Sequence, residues 1–206
     1  METLIIVVAI ILVGVLVQYL VRKFSYIVKP PLRIHLVRRP AGKGSSKGFQ
    51  KHGADLKALG FTPIGTYRIS EMAGMVLAAF SHKQQAVCAV IYSHPLTGCF
   101  VDMFSENEEG VGLTVSNARA GQVLDQPPGR EKIIDKTLTV RNIYDHLLKK
   151  RPQGPYKRIG PSDFAEVFQN EYAKEMDWRK KRGFVTDAEV RRAAQAMGIK
   201  SDSTIR

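Results

Sequence analysis

Residues 4–21 read LIIVVAIILVGVLVQYLV, eighteen positions without a charged side chain, and this run restricts the chain more than any other feature. At about 1.5 Å per residue, such a helix is just long enough to cross the hydrocarbon core of a bilayer. A helix apolar on every side, followed at once by Arg22 and Lys23, fits a membrane span better than a buried core helix. Met1-Glu2 offers no basic lead and residues 18–21 no small-x-small cleavage site, so the helix is expected to be retained as an anchor. The basic residues near the span all lie C-terminal to it. That asymmetry places the body in the cytoplasm and the N-terminus outside, a single-pass arrangement.

Charge distribution sharpens the picture. The chain has 206 residues, with 31 Lys and Arg against 19 Asp and Glu, for a net charge of +12. Residues 22–51 hold a run of basic side chains and no acidic one, so the excess belongs to a segment also rich in Pro, Gly and Ser. The expected organisation is an anchor over 1–23, a basic linker over 24–52, a folded α+β domain over 53–151 and a helical region over 152–206. Within the linker, Arg22, Lys23, Lys29, Arg33, Arg38 and Arg39 are candidate contacts for anionic lipid headgroups. Nucleic acid is a poor fit, since the basic runs at 149–151 and 179–182 have acidic neighbours and no aromatic stacking platform.

Hydrophobic patterning in the body predicts a short helix over 54–59 ending at Gly60, then strands. The run AVCAVIYS over 86–93 is apolar on both faces and should be central in a sheet. CFVDMFS over 99–105 should return antiparallel to it, and Val111, Leu113 and Val115 alternate with small polar residues as in a half-buried strand. A further short strand fits 132–135. The expected fold class is therefore α+β: a transmembrane helix, an antiparallel meander of about five strands, and helices packed against it. Thr139 can cap a helix bearing Val140, Ile143, Tyr144 and Leu147 on one face, and the spacings Asp163 to Glu166 and Thr186 to Glu189 suggest two more helix starts.

Chemistry is harder to find. Cys88 and Cys99 fall on adjacent expected strands but at different heights along the ladder, which leaves them as free thiols. Neither a zinc pattern nor a phosphate-cradling glycine loop is present, and no catalytic, metal or cofactor-binding residue stands out. Asp102, inside an apolar strand, calls for solvent or a basic partner. The acidic stretch 106–110 reads as a solvated hairpin tip. Polar residues where a strand ends and a loop begins are the best candidates for a ligand or partner surface, namely Thr114, Asn117 and Asp125.

Leu59-Gly60-Phe61, Leu113-Thr114-Val115-Ser116-Asn117 and Leu124-Asp125-Gln126-Pro127-Pro128-Gly129 together resemble a family of uncharacterised bacterial proteins over about 54–183. The resemblance implies a bacterial source and a shared fold, and it implies no activity. The function expected from all this is a membrane-anchored interaction or sensing module with an unknown protein partner. The alternative is an enzyme with a site near the 113–126 strand end and loop. A third reading, binding of anionic lipid or nucleic acid by the linker, rests on charge alone.

Overall fold

A computed structural model describes residues 30–40, 46–94, 98–118 and 124–196. Its framework is a sheet of seven strands in sequence order: β1 (Leu36–Arg39), β2 (Thr62–Ile69), β3 (Val76–His82), β4 (Val87–His94), β5 (Gly98–Glu106), β6 (Gly112–Ser116) and β7 (Arg130–Ile134). Neighbours are antiparallel except β6 and β7, which run parallel. A parallel pair needs a crossover rather than a tight turn, and the stretch 117–129 supplies it. The expected meander of about five strands thus gains two. One lies inside the segment read as a linker, and the other is joined by a parallel rather than an antiparallel step.

The expectation of a transmembrane architecture is corrected. No helix among the described residues is long and apolar enough to cross a membrane. The longest, Phe164–Lys181, carries charged side chains along its length. The span assigned to 1–23 lies outside the described residues. With it, the single-pass membrane localisation, the outside N-terminus and the cytoplasmic placement of the body are set aside.

Helix α1 (Lys47–Ala58) begins seven residues earlier than the pattern suggests, because Ser46 caps it by accepting the Phe49 N–H. It ends where Gly60 adopts φ +90°, a conformation a side chain would strain. Helix α2 (Val140–Lys150) starts at the expected Thr139 cap, whose hydroxyl accepts the Asn142 N–H at 3.2 Å. These two helices cover one face of the sheet. Leu56, Ile143 and Leu147 are fully buried there against Ile91, Val101, Met103 and Val115. β4 is the fourth of the seven strands and buried on both faces, as its unbroken apolar run requires.

The opposite face packs Ile34, Ile69, Leu77, Val90 and Cys88 beneath α3 (Phe164–Lys181), which contributes Phe164, Phe168 and Tyr172. The long C-terminal helix therefore shares the core. Asp163 makes no side-chain cap, contrary to its spacing. By contrast, Thr186 and Glu189 form the expected reciprocal box at the start of α4 (Asp187–Ala196). Residues 169 and 171 project from opposite flanks of α3, at about 100° per residue. Gln169 accepts the Leu36 N–H of β1 at 2.7 Å, and Glu171 takes Arg130 of β7 at 2.5 Å, so one helix reaches both sheet edges.

Candidate functional site

Thr114, Asn117 and Asp125 are not brought together. Thr114 lies half-buried on β6 between Phe104 and Lys132. Asn117 is a backbone staple: its Oδ1 accepts the Val101 N–H at 2.7 Å and its Nδ2 donates to the Leu138 carbonyl at 3.2 Å. That joins the end of β6 to β5 and to the approach to α2.

Asp125 belongs to an ionic knot. Its carboxylate holds Arg182 at 2.6 Å and Arg192 at 2.5 Å, while its backbone carbonyl accepts from Arg179. The Asp125 N–H donates to Glu189, which is 1% exposed and also accepts from the Thr186 N–H. The hydrogen bond from Arg182, followed by the charge of Arg192, holds the Asp125 carboxyl below its ordinary range. Burial works to raise Glu189, but the N–H groups of Thr186 and Asp125 outweigh it and the carboxyl is lowered. The knot fastens the crossover to α3 and α4.

The acidic stretch at the end of β5 is a solvated tip only in part: Glu108 and Glu109 are exposed, but the residues before them are tied in. Glu106 pairs with Arg130 and Lys157, and Asn107 ties the turn through its bonds with Val111 and Gln153. Asp102 has the basic partner its apolar strand demands, Lys132 at 3.1 Å, although its Oδ1 is buried without a hydrogen-bond partner. Cys88 sits opposite Phe104 and Cys99 opposite Ser93, and both are free. Among the described residues no group of His, Cys, Asp and Glu could hold a metal ion.

Of the six basic residues proposed for headgroups, Arg22, Lys23 and Lys29 lie outside the described residues. Arg33 makes a two-pronged bond to Asp177, with both contacts at 2.9 Å. Arg38 and Arg39 differ from it. They close β1, which stops opposite Thr66 while β2 runs on to Thr62. The step between the strands is an open notch of about 310 Å³ lined by Arg38, Arg39, Pro63, Ile64, Thr66 and Phe80, among others. Arg130, Arg179, Arg182 and Arg192 each have a carboxylate partner, whereas no ion pair forms at Arg38 or Arg39 among the described residues. Residues 22–51 contain no acid to neutralise them.

Sequence reasoning missed the strand that positions these arginines, because flanking Pro and Gly made the segment look like a tether. The signal was present in Ile34 and Leu36, which alternate with His35 and Val37 and turn their side chains into the core. No family model matches the chain, and no curated protein or solved structure shows significant similarity to it.

Proposed function

We propose that this protein is an interaction module whose working surface is the β1 end of the sheet, and that it recognises an acidic partner protein. The observation that carries this reading is the pair Arg38 and Arg39, set beside an open notch without a carboxylate to neutralise them. Unpaired guanidiniums on a rigid strand are preorganised for carboxylate, because the planar fork loses little freedom on binding. Val37, beside them on β1, is 38% exposed and adds apolar surface to the same patch.

A photo-crosslinking residue placed at Val37 in the full chain, expressed in cells, tests this. The result expected is a defined protein adduct lost in the Arg38→Glu/Arg39→Glu variant and absent when the crosslinker sits at exposed Arg141 of α2. Adducts of equal yield from both positions would overturn the reading.

A second reading, an enzyme with its site near 113–126, is favoured by one observation: the unpartnered Asp102 Oδ1, buried in the sheet beside Thr114 and Lys132. A Thr114→Ala variant that folds normally and loses its cellular phenotype would support it, and an unchanged phenotype would remove it. We also propose that the resemblance to uncharacterised bacterial proteins reflects a shared fold. The positions that carry it include the α1 stop at Gly60, the core residue Phe61, the staple Asn117 and the φ +79° turn at Gly129.

A further inference from the structure

We infer that the partner's acidic segment binds in extended form, adding as a further strand to the outer edge of β1 at Arg38. This rests on the interaction reading above and specifies how the partner is held. Backbone alternation is the first argument. The Leu36 N–H points away from β2, into Gln169, and in an antiparallel ladder the groups two residues on point the same way. Arg38 therefore turns its N–H and C=O to the outside, opposite a non-hydrogen-bonded Tyr67. Gln169 blocks the edge at Leu36, so added pairing centres on Arg38.

Charge is the second argument. Arg38 and Arg39 are consecutive and project to opposite faces of the sheet. Two consecutive acidic residues on an added strand likewise project to opposite faces, which sets one carboxylate beside each guanidinium. A second copy of this chain pairing β1 against β1 would bring four guanidiniums together without an acid, which disfavours self-association by this edge. The recognition mode is strand addition, in which backbone hydrogen bonds supply affinity and side chains supply selection.

The test uses the full chain and a blocked peptide, Val-Thr-Val-Glu-Glu-Val-Thr-Val, followed by amide NMR at Val37, Arg38 and Arg39. A matched peptide carries methyl groups on the backbone nitrogens of both glutamates, which removes the donors on either edge and keeps the charge. The expected result is binding of the plain peptide with shifts at those amides, weakened about tenfold or more by methylation. An Arg38→Ala/Arg39→Ala variant, its fold verified from the remaining amide spectrum, should weaken binding by a similar factor. Equal binding of the two peptides would overturn strand addition while leaving the arginine surface standing. Binding of neither peptide would also overturn it, and the Val37 crosslink would then decide the broader reading alone. The same shifts produced by inorganic phosphate but not by peptide, or by raising the protein concentration alone, would replace the acidic segment with a small anion or a second copy.

Discussion

Lys132 Nζ reaches diagonally across β6 to Asp102 Oδ2 at 3.1 Å, joining β7 to β5 above a strand that neither belongs to. The Asp102 side chain is only 10% exposed, so removing its partner strands a charge in a poorly solvated place. Lys132→Met should therefore cost about 3 kcal/mol in urea unfolding, whereas the double change Asp102→Val/Lys132→Met should come within about 1 kcal/mol of the parent. A double variant as unstable as the single one would mean that the pair is needed for more than mutual neutralisation.

Arg179 and Glu189 are 5% and 1% exposed, with Nη1 to Oε1 at 3.6 Å, at the centre of the knot that holds α4 and the crossover on α3. Glu189→Gln should weaken this docking by about 2 kcal/mol, less than a lone buried pair because Arg179 keeps Glu175 and the Asp125 carbonyl. Hydrogen exchange should quicken over Asp187–Ala196 and remain slow in β4.

Acid should act on the same place. The folded carboxyls of Glu189 and Asp125 are lowered from 4.5 and 3.8, so their stabilisation is present above those values and lost as the pH falls through the lower folded ones. Exchange across α4 should rise below about pH 4, ahead of the sheet.

The thiols should differ in accessibility rather than pair. Burial pushes Cys99 up to about 11 and Cys88 higher, so both stay protonated at neutral pH. A thiol-reactive dye should label Cys99 slowly and Cys88 only on unfolding. Dye uptake by Cys88 as fast as by Cys99 in the folded protein would contradict its place beneath α3.

Asn117 and Thr114 looked alike in sequence and should separate on mutation. Asn117→Ala leaves the Val101 N–H and the Leu138 carbonyl without their partner and should cost about 2 kcal/mol by thermal or urea unfolding. Thr114→Ala makes no such orphan and should stay within about 1 kcal/mol.

What was legible in the sequence was local. The central position of β4 followed from its unbroken apolar run, and the Thr139 cap and the Thr186–Glu189 box followed from spacing, because each depends on residues within one turn of one another. That Asp102 needs either solvent or a basic partner could be read from its apolar neighbours. The choice of Lys132 could not, since that requires the parallel register of β6 and β7. For the same reason Asp125 passed for a ligand contact: its partners Arg182 and Arg192 lie more than fifty positions away. The β1 arginines were singled out for their charge, yet the strand that gives them an open edge depends on pairing with β2, which no periodicity within four residues can reveal.

Because the whole chain is strongly basic, the most direct test of the arginine edge holds net charge constant. The affinity for the acidic peptide should be compared between Arg38→Glu/Arg39→Glu and Arg141→Glu/Arg158→Glu, two arginine pairs reversed to the same total charge. A recognition surface at β1 predicts about a tenfold or greater loss in the first and less than about twofold in the second. Equal losses would show that the peptide responds to overall charge, and the claim that β1 is the recognition edge would fall.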